Sequence, residues 1–216
     1  KKFDKLLTLS NELLDKFPNS ILLQNLQGVI YTELKNYKLA KTLFIKVVNQ
    51  SPKYADGYYN LANIYNKLNE ENKAIENYNK VIELNFNYFK AHNNLGNIYR
   101  KNGLNKKAIE CYLSTLEINP NYKVAYYNLA GVLQFYIINE ENKNINKYLL
   151  FLLKEKIIVR PNSIAPNVLN CLFLNTDLKE NLSLIKNKIT NKDFNYILEN
   201  LQKNSLLMQF MRVCPI

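Results

Sequence analysis

Asparagines stand 34 residues apart at Asn60, Asn94 and Asn128. Each carboxamide carries both donors and an acceptor, so a row of them can hold a peptide backbone without reading its side chains. Other chemistry is scarce. One histidine, His92, occurs in 216 residues, which leaves no second imidazole for a Ser–His or Cys–His pair. Cys111, Cys171 and Cys214 are far apart and form no C-x-x-C pair. They read as small buried hydrophobes in a reducing compartment, not as a disulfide framework or zinc site. Glu70-Glu71 and Glu140-Glu141 fall at expected helix junctions, where acids favour a helix N-terminus, and so read as capping charge. No H-E-x-x-H, Gly-rich phosphate loop or Walker motif occurs. The residues imply no enzyme in this segment, no metal and no cofactor. They point to binding.

The elements that would position those asparagines repeat with the same period. Small residues fall at Gly28, Ala62, Gly96 and Ala130, with Tyr31, Tyr65 and Tyr99 three residues later and Leu133 in the fourth place. A second set, Ala40, Ala74 and Ala108, is followed four residues on by Phe44, Tyr78 and Tyr112. Pro18, Pro52 and Pro120 close repeats, Phe86 stands where a proline is due, and Tyr54, Tyr88 and Tyr122 share one phase. With only 5 Gly and 6 Pro, the chain lacks material for turn-rich sheet, and its long Leu/Ile/Lys/Asn stretches favour an all-α fold. Turns are expected at Lys35-Asn36, Leu68-Asn69-Glu70 and Asn102-Gly103, where Gly and Asn tolerate left-handed backbone.

These residues resemble the tetratricopeptide repeat family, whose signature is W-x2-L-G-x2-Y, then A-x3-F, then P. The best copy is His92-x2-Leu95-Gly96-x2-Tyr99, Ala108-x3-Tyr112, Pro120. The resemblance implies a right-handed superhelical solenoid of antiparallel helix pairs, with His92 packed between helices. It divides the array (1–135) into a half repeat (1–20), full repeats at 21–54, 55–88 and 89–122, and the start of a divergent fourth (123–135). Residues 136–216 are then a divergent helix at about 142–158 followed by a C-terminal helical cap. That cap comprises helices near 164–174, 178–188, 194–203 and 206–212, with Ser163 and Asp177/Glu180 as caps.

In such a solenoid the A helices line the concave face. The positions that the resemblance turns inward include Tyr59, Asn60 and Asn63, then Asn93, Asn94 and Asn97, then Tyr127 and Asn128. The asparagine row looks like the ladder in the tetratricopeptide region of O-linked N-acetylglucosamine transferase, which holds extended peptide. Lys90, Arg100 and Lys101 resemble the charge that other tetratricopeptide domains use for acidic or C-terminal peptide groups. The expected partner is therefore an extended peptide or protein segment, acidic if those cations take part.

Composition weighs on that reading. Asparagine is about a sixth of the chain, far above ordinary usage, and the heavy use of Lys, Asn, Ile, Tyr and Phe is what AT-rich coding produces. The net charge of +11 raises nucleic acid as a third partner class, but the cations are spread among repeats and no RNA-binding motif appears. No apolar run of about 18 residues exists to span a membrane, and a cytoplasmic location is expected. The chain begins without Met or a signal-peptide pattern and stops in an apolar stretch, 206–216. The second expectation is thus a recognition arm whose catalytic domain (glycosyltransferase, methyltransferase, sulfotransferase or oxygenase) lies beyond Ile216, as in bacterial tetratricopeptide fusion proteins.

Overall fold

The computed structural model describes residues 2–138, 145–154, 164, 166–168 and 170. Among the described residues the chain is all-helical. The helices are α1 Lys2–Lys16, α2 Ile21–Glu33, α3 Tyr37–Gln50, α4 Ala55–Lys67, α5 Glu71–Leu84, α6 Phe89–Lys101, α7 Asn105–Ile118, α8 Lys123–Leu133 and α9 Ile145–Lys154. Two compact units are present, Lys1–Ile98 and Tyr99–Ile216. In the first, α1 packs on α2, α2 on α3, α3 on α4 and α4 on α5; in the second, α7 packs on α8 and α8 on α9.

The α2–α3, α4–α5 and α6–α7 pairs each reverse direction through one left-handed residue. Lys35 (φ 60°), Asn69 (φ 59°) and Gly103 (φ 72°) stand 34 residues apart. The next backbone N–H then reaches back five residues: Asn36 to Tyr31 O, Glu70 to Tyr65 O and Leu104 to Tyr99 O, each at 2.9 Å. The left-handed residue itself donates to Thr32 O, Asn66 O and Arg100 O respectively. This pair of bonds satisfies carbonyls that a helix end otherwise orphans. At the first turn lysine takes the left-handed place, because Asn36 is used elsewhere: its side chain accepts from Leu39 N at 3.2 Å and caps α3.

The second helix of each pair (α3, α5 and α7) ends differently. Pro52 and Pro120 stand two residues past α3 and α7, where proline blocks helix continuation. Phe86 lacks that constraint, and Asn85 supplies another: its Oδ1 accepts from Asn87 N at 3.0 Å, an Asx turn repeated at Asn119 and Asn121 (3.2 Å). The turn survives without proline.

Burial follows the small-residue phases. In the first unit Ala40, Phe44, Val48, Leu61 and Ile64 form one cluster. Gly28 permits it, since a Cβ there would lie 2.5 Å from Phe44 Cε1. In the second unit Ala108, Tyr112, Leu116, Leu129 and Leu133 share a core with Ile145, Tyr148, Leu149 and Leu152 of α9. The i, i+3, i+4, i+7 spacing of the last four places them on one helix face. So α9 buries a full apolar stripe although the Ala-x3-aromatic signature is gone. Its partner α8 ends on a remote side chain: Asn167, 1% exposed, donates to Leu133 O (2.7 Å) and Tyr136 O (3.0 Å) and accepts from Ile138 N (2.8 Å). Residues 164, 166–168 and 170 are helical, within the first expected cap helix. The later expected helices and the caps at Ser163 and Asp177/Glu180 lie outside the described residues.

Two glycines test this architecture in different ways. Gly28→Ala is expected to destabilise by about 1–3 kcal/mol, because the added methyl overlaps the buried Phe44 ring and forces it to shift. Gly103→Ala is expected to lose about 1 kcal/mol through backbone conformation alone, since nothing lies within 4 Å of its Cβ position. Gly103→Asn should recover most of that loss. Urea unfolding of the three variants checks the ranking, and a stable Gly28→Ala variant would contradict it.

Candidate binding groove

Asn60, Asn63, Asn94 and Asn97 line one cavity of about 370 Å³ in the first unit, together with Val29, Thr32, Glu33, Phe44, Asn66 and Lys67. Residues 60, 63, 66 and 67 lie on α4, which presents one face at three- and four-residue spacing. Val29, Thr32 and Glu33 come from α2, at the phases that Asn63, Asn66 and Lys67 occupy one repeat later. Carrying the register of 34 back by one repeat would have found them.

The carboxamides are tied to neighbours across repeats. Asn60 Nδ2 donates to Asn25 Oδ1 at 2.9 Å, and Asn94 Nδ2 donates to the Tyr59 hydroxyl at 3.2 Å. Both bonds span 35 residues, linking one position of a repeat to the preceding position of the repeat before. Asn94 Nδ2 also reaches Asn63 Oδ1 (3.1 Å) and the Tyr78 hydroxyl (3.3 Å), and Tyr78 donates to Asn63 Oδ1 at 2.5 Å. Tyr78 is fully buried, and burial pushes its hydroxyl well above the ordinary tyrosine range, so it stays a donor at any physiological pH. The row of asparagines is thus partly a structural network.

Aromatic rings back the network. The Tyr59 ring lies 4.9 Å from that of Tyr88 and 6.0 Å from that of Tyr78, centroid to centroid. Tyr88 donates to Asp56 Oδ1 at 2.7 Å; burial first, and that carboxylate second, raise its pKa. The Lys67 ammonium lies 5.8 Å over the Tyr37 ring.

The remaining candidates lie elsewhere. Asn93, expected on the open face, is 2% exposed and donates to Asn94 Oδ1 at 3.4 Å. Lys90 stands in the first turn of α6, whereas Arg100 and Lys101 stand in its last turn, about 15 Å away along the helix. They do not form one cluster, and none of them lines the cavity. Arg100 Nη1 lies 3.1 Å from where a Cβ on Gly131 would be, so the glycine makes room for the guanidinium. Tyr127, 49% exposed, and half-buried Asn128 lie on α8 in the second unit. His92 is packed as expected: Nε2 lies 2.9 Å from Phe86 O, and its ring meets Phe86 edge-on at 5.4 Å. A carbonyl can only accept, so Nε2 carries the proton. Gln24, in the same phase, donates to Pro18 O at 2.8 Å.

Among the described residues no group of three or more His, Cys, Asp or Glu is placed to hold a metal, and no helix is long and apolar enough to cross a membrane. Cys111 is pushed up to about 12 by burial, and secondarily by Glu110, which leaves little thiolate at neutral pH.

Comparison with known proteins gives matches along the array. Models described as tetratricopeptide repeat match residues 23–54, 43–76 and 89–122, and a TPR repeat model matches residues 62–103. No curated protein matches the chain. Among solved structures, a crystal structure of MamA is similar at 27% identity and TM-score 0.56, over 61% of this chain and 77% of that one. YrrB, described as a TPR protein with an unusual peptide-binding site, is similar at 19% identity and TM-score 0.54, over 73% and 81%. The first TPR of Spaghetti bound to HSP90 peptide SRMEEVD is similar at 24% identity and TM-score 0.51, over 53% and 90%.

The asparagines should separate by stability. Asn94→Ala removes contacts to Tyr59, Asn63 and buried Tyr78 together, and is expected to lose about 1–3 kcal/mol. Asn60→Ala breaks one part-buried bond and should lose about 0.5–1 kcal/mol. Urea denaturation measures both, and equal effects would contradict the network.

Proposed function

Taking residues 23–122 as belonging to the tetratricopeptide repeat family, we propose that the chain is a protein-interaction scaffold whose α2/α4/α6 groove holds an extended peptide by its backbone. The observation that carries this reading is one cavity lined by five carboxamides, Asn60, Asn63, Asn66, Asn94 and Asn97. A volume of about 370 Å³ lies within the range of ligand pockets. Backbone amides have the same donor–acceptor character as carboxamides, so polar neutral walls match them well. The peptide-binding described for YrrB and for the first TPR of Spaghetti lends the fold a precedent.

The groove favours no strongly charged occupant. Its lining holds one carboxylate, Glu33, and one ammonium, Lys67, while Lys90, Arg100 and Lys101 lie outside it. Recognition by neutral hydrogen bonds carries a weak salt dependence, unlike recognition of an acidic peptide or of nucleic acid.

Selection from a display library of random peptides, about twelve residues long, against the full chain provides the probe. The selected peptide should bind Asn60→Ala/Asn66→Ala about 10-fold more weakly than wild type, as expected for two lost neutral hydrogen bonds. Its affinity should change less than about 3-fold between about 50 and 500 mM salt. Lys80→Ala, outside the groove, should leave binding unchanged. Failure to select any peptide, or full affinity in the double variant, would overturn the proposal.

A further inference from the structure

The carboxamides that line the groove do not face it alike. Asn63 Oδ1 accepts from both Tyr78 and Asn94 Nδ2. Reversing Asn63 alone would set two nitrogen donors, Asn63 Nδ2 and Asn94 Nδ2, against each other, and reversing Asn94 with it would set Asn94 Nδ2 against Asn93 Nδ2, so the amide keeps this setting. Its oxygen is held in the network, and its two N–H donors have no partner among the described residues. Asn60 is set the other way. Its nitrogen donates to Asn25, and its carbonyl oxygen has no partner among the described residues.

Asn60 and Asn63 are three residues apart on α4 and line the same cavity, so they are neighbours on one helix face. Together they offer an acceptor and a donor about one helical turn apart. In an extended chain the N–H and C=O of one residue point to the same side, and that pair is complementary to this one. A peptide N–H would meet Asn60 Oδ1 and the C=O of the same residue would meet Asn63 Nδ2. The polarity is set from below: the Tyr78 hydroxyl accepts from Asn94 Nδ2 and turns its own proton to Asn63 Oδ1.

We propose that Tyr78 is a positioning residue: its buried hydroxyl fixes the Asn63 carboxamide so that the groove presents Asn60 as acceptor and Asn63 as donor to one residue of an extended peptide. The inference rests on the peptide-binding reading above and deepens it. Phenylalanine fills the same phase in the first repeat, as Phe44, so the ring suffices for packing and the hydroxyl at 78 has a separate use. That hydroxyl is also well placed to stay protonated, since burial raises its pKa.

A double-mutant cycle on the peptide selected from the random library separates positioning from packing. Tyr78→Phe should weaken binding about 5–10-fold in the wild-type chain and less than about 2-fold in an Asn63→Ala background. A residue that only supports the fold would show the same factor in both backgrounds, and that result would overturn the proposal. Asn63→Asp gives an independent arm, because its carboxylate keeps the bonds from Tyr78 and Asn94 but has no donor for the groove. It should bind at least about 10-fold more weakly with circular dichroism unchanged; wild-type affinity in Asn63→Asp would equally overturn the proposal. If no peptide is selected at all, the peptide-binding reading itself falls, and this inference with it.

Discussion

A helix that must reverse within three residues has to end cleanly, and the α2–α3, α4–α5 and α6–α7 turns do so with one left-handed residue each. The last carbonyls of an α-helix have no partner within it, and left unpaired against a neighbouring helix they would cost free energy. Lys35, Asn69 and Gly103 turn the chain so that the following N–H groups close on Tyr31, Tyr65 and Tyr99. Because that closure recurs at a fixed interval, successive A helices present equivalent positions in the same order. The small residues at Gly28 and Ala62 then let the paired helix approach closely, and the Phe44 and Tyr78 rings fill the space behind them. The groove inherits its register from these turns.

That register creates a second constraint. Positions that face one way in one repeat lie beside their counterparts in the next, so their polar side chains must satisfy one another or water. The chain meets this by alternation: Asn60 on Asn25, Asn94 on Tyr59, and Tyr78 on Asn63. Such bonds hold neighbouring repeats together and also decide which end of each carboxamide remains for a ligand. On the proposed function, stability and recognition share the same atoms. Asn94 illustrates this, since its amide is engaged by three acceptors of the preceding repeat.

Much of the fold is legible in the sequence because it depends on size and backbone preference. Gly28, Ala40 and Ala74 mark close approaches, and the three turns fall where asparagine and glycine concentrate. The left-handed lysine is less legible, for side-chain type disfavours it and only the competing use of Asn36 as a helix cap explains it. The apolar stripe of α9 escapes the repeat signature because Ile145, Tyr148, Leu149 and Leu152 replace an alanine-based contact with a larger one. For the groove, phase alone brings Asn60, Asn63, Asn94 and Asn97 together, as expected. Phase does not reveal that Asn93 is buried or which way an amide points, whereas the helix length between Lys90 and Arg100 follows from their spacing alone. The amide directions depend on partners 15 to 35 residues away. Pairing each inward position with its predecessor one repeat back is the sequence rule that would recover most of them.

On the proposed function, this face meets a peptide with amides whose orientation is already set. Side-chain amide resonances report it directly, recorded on nitrogen-15-labelled chain during titration with the selected peptide. The Asn63 NH₂ pair is expected to move strongly, while the Asn94 pair, engaged within the network, moves little. Peptide binding that shifts backbone resonances elsewhere and leaves the Asn63 amide unmoved would contradict it.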